Sequence, residues 1–271
     1  MQAVSAKRGI FVTPFDELVD PKVLAALAAS AEEHGWDGFF VWDHVRYRPP
    51  VRAVADPWVA LAAVASDTDR IRLGPLVTPL SRRRVHKLAR ETVTLDLLSR
   101  GRLTLGVGLG SDRNDELEPF GEVVDPRERA RLLDEGLDRL SAYWGGGFEP
   151  RPEQSPRIPV WVAARWPNRR PLRRAARWDG LFPIELPGPE ALTELGEEVR
   201  DLRAEAGRDG PFDLVVDLPT GAAIGPWEEA GATWILADFG LQPREREVRE
   251  TIEAGPRHSP QPVSNGRSHS S

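Results

Sequence analysis

The chain has 271 residues, of which 40% are hydrophobic and 29% are charged, and this composition excludes a disordered or collagen-like protein. It contains no cysteine, which excludes a disulfide scaffold, thiol catalysis and cysteine-ligated zinc. The formal net charge of −6 disfavours a nucleic-acid partner, and the lack of a secretory signal or of an apolar run near the roughly 18 residues of a membrane span predicts a cytoplasmic protein with no membrane partner.

Short β-branched or aromatic runs alternate with amphipathic stretches of helical period from Arg8 to Asp238. The predicted strands are Gly9–Val12, Gly38–Trp42, Arg72–Thr78, Leu103–Leu109, Val160–Ala163, Gly180–Ile184, Leu214–Leu218 and Thr233–Ala237. The predicted helices are Val23–His34, Trp58–Ala65, Arg84–Leu98, Glu128–Trp144, Arg169–Trp178 and Pro189–Ala206. This alternation predicts an α/β fold of the (β/α)8 TIM-barrel class, although a doubly wound open sheet also fits.

Two connections are short for such a barrel. The last crossover, Pro219–Ala232, has room for one helical turn at Pro226–Ala230, and the fifth strand is reached through Gly145–Ile158 alone. No periodic apolar residue follows Gly255. We therefore predict a barrel domain with shortened loops over residues 1–254 and a disordered tail over residues 255–271.

In a parallel barrel the chemistry lies at the carboxyl ends of the strands, and Asp43 and His44 follow the second predicted strand there. Histidine suits a general acid or base, or a hydrogen-bond donor to a bound ring, because its pKa lies near neutrality. In the alternative interpretation, Asp43 caps the following turn and His44 makes a structural hydrogen bond.

Alternating glycines, Gly106, Gly108 and Gly110, end the fourth predicted strand and precede Ser111. Glycine lets a flat ring or a phosphate approach the backbone closely. The spacing does not match a dinucleotide-binding fingerprint, since polar loop rather than helix follows. Small residues that relieve crowding inside a barrel are the alternative.

Arginines gather at two further strand ends. Arg165, Arg169 and Arg170 flank the start of a predicted helix, where backbone amides and guanidinium groups together favour a phosphate. Each of the two clusters, the second being the basic segment Ser81–Lys87, is either an anion site or a solvated face. Neither favours a nucleic-acid groove, because no aromatic residues are interleaved with the basic residues of Ser81–Lys87 and the net charge is acidic.

Hydrolase chemistry has weaker support. The chain has no G-x-S-x-G elbow and no ligand group at zinc spacing, so no metal site is predicted. A glycosidase-like carboxylate pair could still be drawn from Asp43, Glu185 and Asp238 at strand ends.

Several segments, in their order and spacing, resemble the bacterial luciferase-like flavin-dependent oxidoreductases. The resemblance rests on Gly74–Leu80, Arg82–Arg84, Leu88–Glu91, Thr94–Arg102 and Leu105–Gly110, with Trp42–His44 upstream and Pro159–Val162, Ala175–Gly180 and Glu229–Trp234 downstream. It extends over roughly Arg8 to Pro256.

The resemblance implies a barrel that binds FMN or the deazaflavin coenzyme F-420 across its mouth and acts on a small-molecule substrate, as an oxidoreductase or monooxygenase, with NAD(P)H as a possible external reductant. His44 would be catalytic beside the ring. Val77 and Thr78 would support the ring, often through a non-proline cis peptide. The implied cofactor-binding residues are Asp43, Val77, Thr78, Gly108, Gly110, Ser111, Ala163, Ala164 and Arg165, of which the last three would hold the phosphate.

The chain departs from the family pattern at Ala163 and Ala164, where glycines are usual, and in its trimmed loops, which would leave the pocket open to water. A non-catalytic barrel that has lost its cofactor and acts as a binding or regulatory subunit is therefore the alternative function. The family also implies a homodimer, for which Trp58–Ala65 and Arg84–Leu98 are the predicted contacts, because their small residues permit close approach.

Overall fold

The computed structural model describes residues 5–256 and contains one sheet of nine parallel strands in that range. The strands are β1 (Lys7–Val12), β2 (Gly38–Val41), β3 (Arg72–Pro75), β4 (Thr78–Pro79), β5 (Leu105–Gly108), β6 (Val160–Arg165), β7 (Gly180–Ile184), β8 (Asp213–Pro219) and β9 (Trp234–Asp238). The helices are α1 (Pro21–Glu33), α2 (Pro57–Ser66), α3 (Val85–Leu98), α4 (Pro126–Ala142), α5 (Arg170–Ala175), α6 (Pro189–Glu205), α7 (Gly225–Glu229) and α8 (Glu245–Glu253).

The strand order, β3-β2-β1-β9-β8-β7-β6-β5-β4, describes a barrel rather than an open sheet. β3 and β4 are two pieces of the single predicted strand Arg72–Thr78, so the two ends of this order are consecutive in the chain. A parallel bridge between Leu73 in β3 and Leu103, two residues before β5, closes the barrel. The predicted (β/α)8 class is confirmed, and the strand divides where the peptide bond between Leu76 and Val77 is cis.

Side chains alternate between two apolar regions. The inward-facing set fills the barrel with large aromatic residues, among them Phe11, Phe40, Trp161 and Trp234. The outward-facing set packs between the strands and the surrounding helices. Side chains two residues apart lie on the same face of a strand. At a carboxyl end, a residue two positions after an inward-facing one therefore points into the mouth.

Three helices begin in the same way. Asp20, Asp56 and Asp125 each precede a proline in the first helical position, and each carboxylate accepts hydrogen bonds from the first-turn amides. These caps satisfy donors that a helix leaves free at its start, and proline loses nothing there because its missing N–H would be unpaired. The three helices therefore begin one or two residues before the predicted starts at Val23, Trp58 and Glu128.

The last crossover is as short as expected, since α7 spans five residues. One helix was not predicted: α8 has only Val248 and Ile252 as buried apolar residues, too few to form a visible stripe. It docks on the outside of the barrel, where Trp36 Nε1 donates to Ile252 O at 3.1 Å. α8 ends one residue before the predicted domain boundary, and the predicted tail from residue 257 onward lies outside the described residues.

Between residues 5 and 256, no helix is both long and apolar enough to cross a membrane.

Candidate active site

His44 stands at the barrel mouth, held by a carboxylate from a distant loop. Its Nδ1 lies 2.6 Å from Glu116 Oε2, and Glu116 Oε1 also accepts the backbone N–H of Val45 at 3.1 Å. The Glu116 side chain is 4% exposed, whereas that of His44 is 22% exposed. A buried carboxylate on Nδ1 favours the tautomer with its proton there, which leaves Nε2 as the atom able to exchange a proton with a ligand.

Asp43 lies behind His44 rather than beside it. Its side chain is 0% exposed and accepts hydrogen bonds from Thr78 Oγ1 at 2.7 Å and from both Arg82 and Arg83 at 2.8 Å. Asp43 and Thr78, both predicted to bind the cofactor, are therefore committed to each other and to two arginines. Both residues are buried within this network.

Arg82 joins the two carboxylates of this network. One guanidinium nitrogen donates to Glu116 Oε1 at 2.8 Å, and the other donates to Asp43 Oδ1 at the same distance. The side chain of Arg82 is 6% exposed. The basic segment predicted as an anion site or a solvated face therefore contributes Arg82 and Arg83 as internal counter-ions, and their partners lie too far away in sequence for the pattern to show them.

An aromatic cluster surrounds the His44 ring. Phe15, Trp42 and Tyr47 have ring centroids 5.9, 5.6 and 5.0 Å from its centroid. Trp42 Nε1 is buried and has no acceptor among residues 5–256. A buried indole N–H without a partner has lost the hydrogen bond that it makes to water in the unfolded chain.

A floor almost free of side chains adjoins this cluster. A Cβ atom added to Gly108 would lie 2.9 Å from Val77 Cγ2 and 3.5 Å from Ala163 Cβ, so these three predicted residues are contiguous across neighbouring strand ends. Gly110, with a φ of +70°, approaches Pro79 in the same way. Any larger side chain at Gly108 would displace Val77, and its absence leaves a flat apolar surface that a ring can cover.

The predicted phosphate grip is only partly assembled. Arg165 points from the end of β6 and pairs with Glu185, and burial together with the charge of Arg113 lowers the pKa of Arg165. Arg169 instead contacts α6, where its guanidinium donates to the Glu194 carboxylate at 2.8 Å. Ala164 faces outward and packs in the outer apolar region.

The backbone amides around this turn are largely used within it. Trp166 N donates to Ile184 O, Asn168 N donates to Arg165 O, and Arg170 N donates to Asn168 Oδ1. α5 is only six residues long, so its helix dipole offers little to an anion. Ser111, predicted at the cofactor edge, accepts the N–H of Arg113 at 3.2 Å in its own turn. The side chains of Arg165 and Arg113 therefore provide the positive charge at this rim.

Two carboxylates, Asp217 and Asp238, face inward, and of these only Asp238 was among the strand-end carboxylates that the sequence indicated. Asp217 shares the face of Val215, which lies inside the barrel, and Asp238 shares the face of Leu236 on the neighbouring strand. Burial, together with the charge of Asp238, raises the pKa of Asp217 to about 6. The signal was available in the alternation of β8, whose even-numbered residues Val216 and Leu218 face outward.

We expect Asp217→Asn to stabilise the protein at pH 7.5. Because the folded state holds the Asp217 proton more tightly than the unfolded state, the free energy of unfolding falls as the pH rises from about 4 to about 6, where the carboxylate ionises. The amide removes this penalty, so the thermal midpoint should rise by about 5 °C, for about 2 kcal/mol. Calorimetry at pH 7.5 and pH 4 measures the effect.

The matched control is Asp201→Asn, an exposed aspartate on α6. No gain is expected for Asp217→Asn at pH 4, where the native carboxyl is already neutral. An equal gain at both pH values would show that the penalty does not come from ionisation.

Three exposed apolar residues lie on the loops that follow β2 and β5. Val45 follows His44, while Phe120 and Val124 lie in the loop of residues 109–125 that also carries Glu116, and they are 49%, 56% and 43% exposed. Exposed apolar groups at a pocket entrance favour an organic substrate over a highly charged one.

Comparison with known proteins identifies relatives along most of the chain. The sequence model of the family described as luciferase-like monooxygenase matches residues 7–237. An uncharacterized protein of Mycobacterium tuberculosis is 33% identical over 256 residues, which cover 81% of this chain and 87% of that protein. A phthiodiolone/phenolphthiodiolone dimycocerosates ketoreductase of Mycobacterium sp. (strain JLS) is 31% identical over 71% of this chain and 55% of its own length, so the chain spans about half of that protein.

A solved structure shares the same architecture. An F-420-dependent secondary alcohol dehydrogenase in complex with an F-420–acetone adduct superposes with a TM-score of 0.75 at 16% identity, covering 92% of this chain and 97% of that one. At this identity the likeness concerns the fold, and it agrees with the closed barrel described above.

Proposed function

The chain belongs to the luciferase-like monooxygenase family, and from this premise we propose that it uses the deazaflavin coenzyme F-420 to interconvert a small organic ketone and its alcohol. The observation that carries the proposal is the pair formed by His44 and the buried Glu116 at the mouth. Carbonyl reduction requires a proton at the oxygen as well as a hydride at the carbon, and this pair is built to move a proton.

The residues present fit a flavin-type ring. The floor of Val77, Gly108 and Ala163 is apolar, and the missing side chain at Gly108 lets a ring approach the backbone closely. Arg165 and Arg113 supply positive charge for a phosphate at the rim. The added methyl of Ala163 is part of the floor, and that of Ala164 points away from it, so neither alanine blocks the mouth.

When bound, the deazaflavin would supply or accept the hydride. His44 would donate its Nε2 proton to the carbonyl oxygen during reduction, or remove the hydroxyl proton during oxidation. Glu116 would hold the ring orientation and stabilise the protonated imidazole. Trp42, Phe15 and Tyr47 would exclude water from one side of the histidine and provide an apolar wall for the substrate.

Two features favour hydride transfer over oxygen chemistry. The short last crossover and the exposed rim leave the mouth open, and reactive oxygenated flavins need protection from water that a hydride carrier does not. The ketoreductase relative and the F-420-dependent neighbour support the same choice. FMN fits the same floor, so it is the comparison cofactor in the test.

The test is a titration of the purified protein with coenzyme F-420 and with FMN, followed by absorbance and fluorescence. We expect saturable binding of F-420 that is at least about tenfold tighter than that of FMN, and reduction of a small ketone by reduced F-420. Tighter binding of FMN would transfer the proposal to flavin chemistry. Binding of neither would favour the non-catalytic barrel.

Arg165→Ala is expected to weaken cofactor binding by about tenfold, because a charge-assisted hydrogen bond to phosphate is lost. The rate at saturating cofactor should change less. Arg173→Ala, which removes an exposed arginine of α5, is the matched control. If Arg165→Ala leaves binding unchanged and abolishes the rate, Arg165 acts on the substrate instead.

We further propose that the protein forms a homodimer through α2 and α3. Val59 on α2 and Leu97 and Leu98 on α3 are 63%, 38% and 45% exposed, an apolar surface that one barrel leaves uncovered. Light scattering at micromolar concentration should give about twice the chain mass of 30.1 kDa. Val59→Glu should shift the mass toward one chain, whereas a monomeric parent protein would contradict the proposal.

A further inference from the structure

We propose that Asp217 selects a substrate that carries a protonated amine, so that the ketone or alcohol at this site is an amino ketone or an amino alcohol. This role rests on the function proposed above, and it concerns the part of the substrate that does not react. Asp217 lies on β8, and its neighbour Asp238 lies on β9. Neither residue contacts the His44–Glu116 pair that moves the proton.

The wall that carries Asp217 lies across the barrel from the cofactor floor. With β3 and β4 counted as one, the barrel is a ring of eight strands in which β8 is opposite β4 and β9 is opposite β5. Val77 lies next to β4, and Gly108 ends β5. A flat ring on this floor therefore leaves the substrate between that ring and the wall of β8 and β9. His44, which follows β2, stands at the side of this space.

The Asp217 side chain faces this space. Asp217 follows Val215 by two residues, and Asp238 follows Leu236 by two, and both Val215 and Leu236 are buried inside the barrel. Unlike those two residues, both aspartates are partly exposed. Because they face the interior at the carboxyl end of the barrel, their exposed atoms are reached through the mouth.

The Asp217 carboxylate has no counter-ion. Burial and the like charge of Asp238 raise the pKa of Asp217 to about 6, and the one contact that opposes them is a backbone hydrogen bond. Asp238 accepts the backbone N–H of Gly240 at 3.1 Å, and no lysine or arginine among residues 5–256 pairs with either aspartate. By contrast, arginine neutralises Asp43 and Glu116 on the other side of the mouth. Only a ligand can balance the charge of the β8 and β9 wall.

The surroundings of Asp217 favour a cation on an apolar body. Phe182 and Ile184 of β7 belong to the inward-facing apolar set, and Leu236 is the register partner of Asp217 on β9. A charge pair is stronger in such surroundings than in water. A hydroxyl group would give the carboxylate a hydrogen bond but leave its charge uncompensated, whereas an ammonium group supplies both N–H donors and positive charge.

The stability of the free protein points in the same direction. Ionised Asp217 destabilises the folded chain, which is why Asp217→Asn is expected to raise the thermal midpoint. Carboxyl groups with pKa values shifted by burial inside a cleft concentrate at functional sites. A bound ammonium group would remove the penalty that the empty pocket carries.

The test is isothermal titration calorimetry of the full chain at pH 7.5 with pentylamine and with n-pentanol, which differ only in the ammonium and hydroxyl groups. The titrations are run with and without coenzyme F-420. We expect pentylamine to bind at least about tenfold more tightly than pentanol, because the charge-assisted contact is made by the amine alone.

Asp217→Asn should reduce this preference to about twofold or less, since the amide keeps the size of the side chain and removes its charge. The variant is expected to be more stable than the parent protein, so a loss of amine binding cannot be ascribed to unfolding. Asp201→Asn, which removes an exposed aspartate of α6, is the matched control and should keep the full preference. Equal affinity for the two probes in the parent protein, or an unchanged preference in Asp217→Asn, would overturn the proposal.

The titration separates this inference from the proposed hydride transfer, because it measures binding without turnover. An amine preference in a protein that reduces no ketone with F-420 would refute the reaction and retain the role of Asp217 in amine binding. Reduction of neutral ketones by a protein without any amine preference would retain the reaction and refute the role of Asp217.

Discussion

Turnover of a ketone substrate should fall by about 10² to 10⁴ when His44 is replaced by alanine. The imidazole is the more exposed partner of the His44–Glu116 pair, and its Nε2 is the atom left to exchange a proton at the mouth. Its removal leaves water as the proton donor, at a site whose aromatic walls limit water. Steady-state kinetics at saturating cofactor measures the loss, and cofactor affinity should change much less because the floor and Arg165 remain.

His34→Ala is the matched control, since His34 is exposed at the end of α1 and should not affect turnover. Glu116→Gln separates proton transfer from packing. The amide has the same size, but its N–H can donate to Nδ1 and so favours the opposite tautomer, which should cost at least about tenfold in turnover. Normal turnover in His44→Ala would remove the histidine from the mechanism, even if cofactor binding stands.

Replacing Asp43 with alanine should produce the largest loss of stability, about 3 to 5 kcal/mol. The carboxylate is fully buried and holds two guanidinium groups that are themselves 6% and 17% exposed. Without it, Arg82 and Arg83 keep their burial and lose their counter-ion. The thermal midpoint should fall by roughly 10 °C or more, as measured by calorimetry.

Asp201→Ala, on the exposed face of α6, is the control for loss of one negative charge and should change the midpoint by no more than about 1 °C. In Asp43→Asn the amide oxygen can still accept a hydrogen bond from Thr78 or from an arginine, so this variant should lie between the two. A loss below about 1 kcal/mol in Asp43→Ala would mean that Glu116 alone can neutralise the arginines.

The strands could be predicted from sequence because a barrel buries both faces of its strands, which makes each one a compact apolar run. α8 could not, because Val248 and Ile252 bury one narrow edge of an otherwise charged segment. The division of the third predicted strand did not follow from composition, since Leu76 and Val77 suit an uninterrupted strand, but the family resemblance implied the non-proline cis peptide that lies there.

In the candidate site, the sequence could place together those residues that end neighbouring strands. His44 and Gly108 were predicted because the carboxyl ends of parallel strands converge, whereas Val77 and Ala163 were implied by the family resemblance. Glu116 could not be predicted, because a loop without periodic pattern carries it to a histidine 72 residues away. The partner of Arg82 and Arg83 is likewise distant in sequence. Their basic segment therefore suggested an anion ligand, although the carboxylate that they bind is that of Asp43.

The two contacts of Arg82 restrict which residues of this protein can change during evolution. The Arg82 guanidinium binds Glu116, which orients His44, and Asp43, whose loss should destabilise the protein. A substitution of Arg82 should therefore change both the reactivity and the thermal stability. Selection for a new substrate would meet little resistance at Val45, Phe120 and Val124, whose side chains are largely exposed. We expect natural or laboratory lineages to diversify at that rim while the Arg82 contacts stay unaltered.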